Sequence, residues 1–284
     1  MKATELKRLK VESAKIRLDV IKMLQWRRYG HLGGAMSIVE LLSVLYGRYM
    51  KYDPKDPKME DRDHLVLSKG HAGPALYSTL ANKGFFDKEM LFTLNEIGTR
   101  LPSHPDRLRT PGVDATTGSL GQGTSVACGL GYSLRLEKSP RRVFLICGDG
   151  ELNEGQPWEA FQFIAHHNLN EVVVFIDKNG MQLDGTTDDI MRTFDLKKKM
   201  EAFGFYTLEV NGNDEEELCK AIDEVLTVKD QAVCIVMNTI KGYGVPYYYG
   251  RKDNHSPKFN EESDKELDIV KAQLEEFIKE NGGE

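Results

Sequence analysis

Val172-Val173-Val174-Phe175-Ile176-Asp177-Lys178-Asn179-Gly180-Met181 is the stretch on which the fold of this chain turns. Five consecutive apolar residues cannot alternate between core and water, so Val172 to Ile176 predicts a strand buried on both faces. The polar residues and glycine behind it predict where that strand ends. Working outward, Leu65-Val66-Leu67, Val143 to Cys147 and Ala232 to Met237 repeat the pattern, each separated from the next by helical sequence. Strands that hide both faces and alternate with helices predict an α/β fold: a doubly wound, mainly parallel sheet with helices on both faces. Residues 1–284 read as a single domain with an N-terminal helix within Met1 to Trp26 and a C-terminal helical extension, Glu261 to Glu284, that frays at its tip. Ser37-Ile38-Val39-Glu40 predicts a capping box, and Pro74 and Pro157 predict first turns of helices.

Composition narrows the function. The chain has 284 residues, 40% of them hydrophobic, enough for a sizeable core. A net charge of −6 argues against nucleic acid or an anionic membrane surface as partner, and no basic tract offsets it. Cys128, Cys147, Cys219 and Cys234 are scattered, with no metal-type or disulfide-type spacing, and predict reduced core residues. The N-terminal segment lacks the uninterrupted apolar stretch of a signal peptide, and no run is long enough to cross a bilayer. These features predict a cytoplasmic protein.

The chemistry is written at two strand ends. Gly148-Asp149-Gly150 closes the strand predicted at Val143 to Cys147, and Asn179 follows the next strand, thirty residues after Asp149. Alone, such a Gly-Asp-Gly is most often a tight turn. Paired with Asn179 at the neighbouring strand's end, it becomes a ligand site, because open parallel sheets bind ligands outside the carboxyl ends of their strands. A carboxylate and an amide oxygen are hard donors suited to Mg²⁺, which usually keeps phosphate oxygens as well, and the glycines let backbone approach a diphosphate. Competing phosphate motifs fail: there is no Gly-x-x-x-x-Gly-Lys-Ser/Thr, and no Gly-x-Gly pair has its third glycine.

The Gly-Asp-Gly and Asn pair resembles the thiamine diphosphate signature of transketolases. The resemblance implies that Asp149, the Asn179 side chain and the Met181 carbonyl hold Mg²⁺ and that Gly150 lies beside the diphosphate. Lys178 stands where the family carries a second Asn or an Asp. A single histidine is usually structural, but His31, His71, His104 and His255 all occur in wording similar to transketolase motifs, so the resemblance spans almost the whole chain. It implies that His71 and His255 contact the cofactor phosphates and that His31, His104 and His255 surround the sugar hydroxyls as catalytic groups, work that imidazole performs near neutral pH. Thr117 to Gly123 resembles the family's Gly-Pro-Leu-Gly-Gln-Gly loop, with Ser119 in place of proline, which makes Gly118, Ser119 and Leu120 cofactor neighbours. Glu154 and Glu159 match acids at the family's subunit interface.

A full transketolase also has a pyrimidine-binding domain and a C-terminal domain, for which no sequence remains here. The resemblance therefore implies a split enzyme that pairs with a complementary C-terminal subunit in a heterotetramer and transfers a two-carbon ketol unit between sugar phosphates, pentose phosphates among them. The alternatives are the alpha chain of a 2-oxo acid dehydrogenase first component, which the four histidines disfavour, and a noncatalytic cofactor-binding module.

Overall fold

The computed structural model describes residues 1–183 and 185–282. Five parallel strands form the sheet: β1 (His64–Leu67), β2 (Val143–Gly148), β3 (Val172–Lys178), β6 (Phe205–Asn211) and β7 (Ala232–Asn238). A two-stranded antiparallel hairpin, β4 (Met181–Gln182) with β5 (Gly185–Thr186), follows β3. The order in the sheet is β1-β2-β3-β7-β6, so the chain passes to the far edge before returning to fill the gap beside β3. Register aligns Val143 with Val172 and Gly148 with Asp177, and Asp177 in turn with Met237.

Alternation along the buried strands sorts their side chains into two layers. Leu65, Leu67, Phe144, Ile146, Val173, Phe175, Val233 and Ile235 face one core. That core is roofed by α1 (Ala3–Arg27), α3 (Val39–Val44), α4 (Gly73–Asn82) and α9 (Glu215–Val225), with the short α2 (Gly33–Met36) joining α1 to α3. Val66, Leu145, Cys147, Val174, Ile176, Cys234 and Val236 face the other core, beneath α5 (Gln122–Leu136), α6 (Gly155–His166) and α8 (Leu196–Ala202). The short α7 (Thr187–Ile190) follows the hairpin, and α10 (Glu261–Glu280) lies along α1. The sheet is thus covered on both faces, as expected, and the four predicted strands are all present.

β6 is a strand the sequence pattern does not predict. Its residues alternate between buried and half-exposed positions, Phe205 and Thr207 turned inward and Glu209 lining the edge, which is the pattern of an edge strand and not of a continuous apolar run. The capping box at Ser37 is also absent. α3 begins at Val39, and the Ser37 hydroxyl donates instead to the Asp177 carboxylate at 2.8 Å, a buried acceptor that outcompetes the helix end. Pro74 and Pro157 both sit in first turns, and all four cysteines are buried and free. The expected frayed tip at residues 283–284 lies outside the described residues. Among the described residues, no helix is long and apolar enough to cross a membrane.

Candidate active site

Loops leaving the carboxyl ends of β1, β2, β3 and β7 line a cleft of about 230 Å³. Their divergence is set by the layers: β1 leads to α4 on one face, whereas β2 and β3 lead to α6 and α8 on the other. The crevice opens where the connections part, as expected of a ligand site in a parallel sheet.

The cleft floor is built from strand ends. Asp149, only 1% exposed, caps the 3₁₀ turn Gly150–Asn153, one carboxylate oxygen accepting from the Gly150 amide at 2.8 Å. Its other oxygen accepts from the Gly180 amide at 2.7 Å, and the Asp149 amide donates to the Asp177 carbonyl at 3.0 Å, so the turns after β2 and β3 hold each other. Gly180 adopts φ +73°, a conformation that favours glycine. Asn179 donates its amide to Asp177 at 2.8 Å while its carbonyl oxygen accepts from the Met181 amide at 3.1 Å. Loss of hydration, then the nearby Asp177 charge, push the Asp149 carboxyl up to about 7. A cation placed against Asp149 and the Asn179 oxygen would relieve both costs.

Asp177 lies beneath them, fully buried, and the sequence pattern does not single it out. It accepts from the Lys69 ammonium, Ser37, Thr239 and Asn179. Burial alone would raise its carboxyl, but Lys69 and these hydrogen bonds hold it below the usual carboxylate range. Lys241, after β7, is a second buried lysine, and burial followed by repulsion from Lys69 lowers it to about 8. Lys69-Gly70 and Lys241-Gly242 share a signal that could have found them: Lys-Gly directly behind a buried strand. Glu151, equally silent in the sequence, is buried within the same lining.

The walls are histidines. His31 follows α1, His71 sits in the 3₁₀ turn ahead of α4, His104 lies in the Ser103-His104-Pro105 loop, and His255 ends the 3₁₀ turn Lys252–His255. Their ring centroids lie 5.1 Å (His31 to His255), 5.4 Å (His31 to His104), 5.8 Å (His31 to His71) and 5.0 Å (His71 to His255) apart. Close approach depends on missing side chains. A Cβ on Gly34 would stand 2.9 Å from the His71 ring, and one on Gly118, where φ is +143°, 2.9 Å from His104. Burial lowers all four rings, with neighbouring cations adding to the effect at three: His31 to about 4, His255 to about 3, His71 well down and His104 less so. All four are therefore neutral at pH 7, each able to donate at one ring nitrogen and accept at the other.

The cleft thus brings together His31, His71, His104, His255, Gly118, Leu120, Asp149, Gly150, Asn179 and Met181. Ser119 is exposed and lies outside the cleft lining. Its neighbours Gly118 and Leu120 border the cleft, Leu120 while still exposed. Glu154 and Glu159 are exposed and stand clear of the cleft.

A parallel α/β layer whose strand ends combine oxygen donors, buried lysines and neutral imidazoles has the chemistry of a domain that grips an anionic cofactor. The family model for the transketolase thiamine diphosphate-binding domain matches residues 9–274. Among curated proteins, a 6-deoxy-6-sulfo-D-fructose transketolase subunit from Clostridium sp. (strain MSTE9) is 45% identical over 82% of this chain and 85% of its own length. One of the subunits of an apulose-4-phosphate transketolase from Phocaeicola vulgatus is 33% identical over 97% of this chain and 98% of its own. A Pichia stipitis transketolase structure superposes with TM-score 0.85 at 26% identity, covering 99% of this chain and 45% of that one. A Leishmania mexicana transketolase does so with TM-score 0.83 at 30% identity, covering 99% and 45%. The chain therefore belongs to the transketolase family, transferases of ketol units, and forms that family's thiamine diphosphate-binding part. It spans about 45% of the solved transketolase chains it matches, yet most of the relatives named as subunits.

Proposed function

We propose that this chain, a single diphosphate-binding domain over residues 1–284, works in the cytoplasm as the N-terminal subunit of a two-chain transketolase. Its partner is a complementary subunit carrying the pyrimidine-binding and C-terminal domains, and two of each assemble as a heterotetramer. Together they transfer a two-carbon ketol unit from a ketose to an aldose. The observation that carries this reading is the convergence of four imidazoles from four separate segments on the same cleft as the Asp149 and Asn179 pair.

The donor set fits Mg²⁺. Asp149, the Asn179 oxygen and the Met181 carbonyl are hard oxygen ligands, and phosphate oxygens would complete the shell. Among the described residues, no three of His, Cys, Asp and Glu converge as an alternative metal cluster. Thiamine diphosphate, when bound, supplies a stabilised carbanion for carbon–carbon cleavage. The chain's residues supply the rest. Lys69 and Lys241 would supply positive charge to a diphosphate, His71 and His255 would donate hydrogen bonds to it, Gly118 and Gly150 would leave it room, and Leu120 would border it. His31, His104 and His255, held neutral, accept a hydroxyl proton from the sugar and donate hydrogen bonds to the oxyanion that forms. Glu154 and Glu159, exposed on this chain, face another subunit in the assembly.

Sugar phosphates are the default substrates, but the 45% identity to a subunit named for 6-deoxy-6-sulfo-D-fructose favours a second reading, a ketose with a terminal sulfonate. Activity is measured with Mg²⁺ and thiamine diphosphate for this chain alone and with its complementary subunit. Xylulose 5-phosphate with ribose 5-phosphate forms one arm, and 6-deoxy-6-sulfofructose with an aldose acceptor the other. Turnover only in the mixture is expected; turnover by the isolated chain would overturn the two-chain reading, and the more active arm assigns the substrate.

A further inference from the structure

Glu151 follows the metal turn by two residues, yet it makes no contact that a metal ligand would make. Only 2% exposed, it directs its carboxylate back across the turn. One oxygen accepts from the Ser68 hydroxyl at 2.5 Å and from the Gly121 amide at 2.8 Å, and the other accepts from the Gly148 amide at 3.0 Å. These three donors belong to three different loops. Ser68 directly follows β1 and leads through Lys69 and Gly70 to His71. Gly148 ends β2 and leads to Asp149 and Gly150. Gly121 is the N-cap of α5 and follows directly on Gly118, Ser119 and Leu120.

From this convergence we infer that Glu151 is a positioning residue that sets the spacing of the three cofactor-facing loops; the inference rests on the thiamine diphosphate reading of the cleft. The loops also touch directly, the Ser68 amide donating to the Ile146 carbonyl at 2.9 Å and the Thr117 hydroxyl to the Leu67 carbonyl at 2.7 Å, and the Glu151 carboxylate ties all three together at once. Its placement has supporting geometry. Gly121 adopts φ +85°, which aims its amide away from the helix it caps. A carboxylate at that point also meets the positive end of the fifteen-residue α5. Gly123 must be glycine for the same contact to exist, since a Cβ there would stand 2.6 Å from the Ser68 hydroxyl and push β1's end away from α5. Hydrogen bonds to an ionised acceptor are the strong kind, and a buried backbone amide that loses its acceptor is costly.

The discriminating substitution is Glu151→Gln. It preserves size and one acceptor oxygen but turns an NH₂ group toward at least one amide that needs an acceptor. Ser68→Ala is the milder companion, removing one donor while leaving both amides satisfied. Thiamine diphosphate with Mg²⁺ is titrated calorimetrically into the two-chain assembly, alongside thermal melts and sugar kinetics at saturating cofactor. Glu151→Gln is expected to weaken cofactor affinity tenfold or more and Ser68→Ala about threefold, with KM for both sugars unchanged and kcat largely recovered once cofactor saturates. If both variants melt earlier but bind cofactor with wild-type affinity in the folded state, Glu151 is only structural and the inference fails. Should Glu151→Gln not fold, an unchanged affinity in Ser68→Ala overturns it equally. Failure of the wild-type assembly to bind thiamine diphosphate would instead sink the cofactor reading itself.

Discussion

Two buried ion pairs flank the same strand and do different work. Arg62, two residues ahead of β1, pairs with Asp114; Lys69, two residues beyond it, pairs with Asp177. At the amino end the hydrogen bonds all go to structure, although the Arg62 Nε is buried without a partner. Arg62 also donates to the Pro57 and Gly112 carbonyls, and Asp114 accepts from the Leu65 amide at 2.9 Å and faces His64. The pair staples two loops to the start of β1. At the carboxyl end, Lys69 and Asp177 are more deeply buried, but they underlie a cleft that holds Asp149, Lys241 and four imidazoles. There the protein accepts poorly compensated charge: a carboxyl raised to about 7 and a lysine lowered to about 8. Perturbation of this sort gathers where a ligand is expected to complete the electrostatics.

The largest test of this contrast is Asp149→Ala. Cofactor affinity, followed by calorimetry with Mg²⁺, should fall more than about a hundredfold, while the melting temperature of the cofactor-free chain falls only slightly, because removing a costly buried carboxylate offsets the Gly150 and Gly180 amides left without their acceptor. A marked loss of stability would place Asp149 with the structural charges instead. Next come Arg62→Met and Lys69→Met, each leaving an acid buried without its cation and each costing about 3–5 kcal/mol in denaturant titrations. Only Lys69→Met should also weaken thiamine diphosphate binding; equal loss in Arg62→Met would erase the distinction between the two ends.

A smaller effect appears on acidification of the cofactor-free chain. The histidines have folded values below the unfolded one, near 6.5, so the unfolded chain binds their protons first and stability drains away as pH falls from about 6.5 toward 4. Asp149 has the opposite sign: its folded value lies above 3.8, so it adds stability as pH falls from about 7 toward 4. Chemical denaturation across this range should therefore show a steeper acid loss in Asp149→Ala and a shallower one in His31→Asn with His255→Asn. An unchanged slope in either would remove the pH argument. The smallest effect belongs to Lys178→Asn. Lys178 reaches Glu209 on the edge strand at 2.8 Å, a half-exposed pair contributing no more than about 1 kcal/mol, and cofactor affinity should not change.

What the sequence reveals follows what short-range pattern can encode. β1, β2, β3 and β7 are legible because continuous apolar runs have few other fates in a soluble chain. β6 is not, since its alternation of Phe205, Thr207 and Glu209 with Tyr206, Leu208 and Val210 is equally at home in other surroundings. The site is legible where glycines bracket a candidate residue, as at Asp149, His31 and His71, or directly follow it, as at Asn179. Asp177 reads from sequence as one more turn residue, and its role comes from Lys69, Ser37 and Thr239, all distant in the chain. Ser37 misleads for the same reason: the helix cap implied by its neighbours loses to a carboxylate 140 positions away.

The insertion of β7 between β3 and β6 also has a consequence in time. As the chain leaves the ribosome, β3 emerges with Asn179 just beyond its end, but its second neighbour begins only at Ala232, well after Lys178. At ordinary synthesis rates of about 5–20 residues per second, that flank of β3 waits roughly 3–10 s for its partner. During that interval β6 has nothing to pair with and the floor beneath Asp177 is open, because Thr239 has yet to be made. The nascent cleft is therefore a hydrophobic, unpaired edge before it is a binding site, and that edge closes only when Ala232–Asn238 pairs with β3.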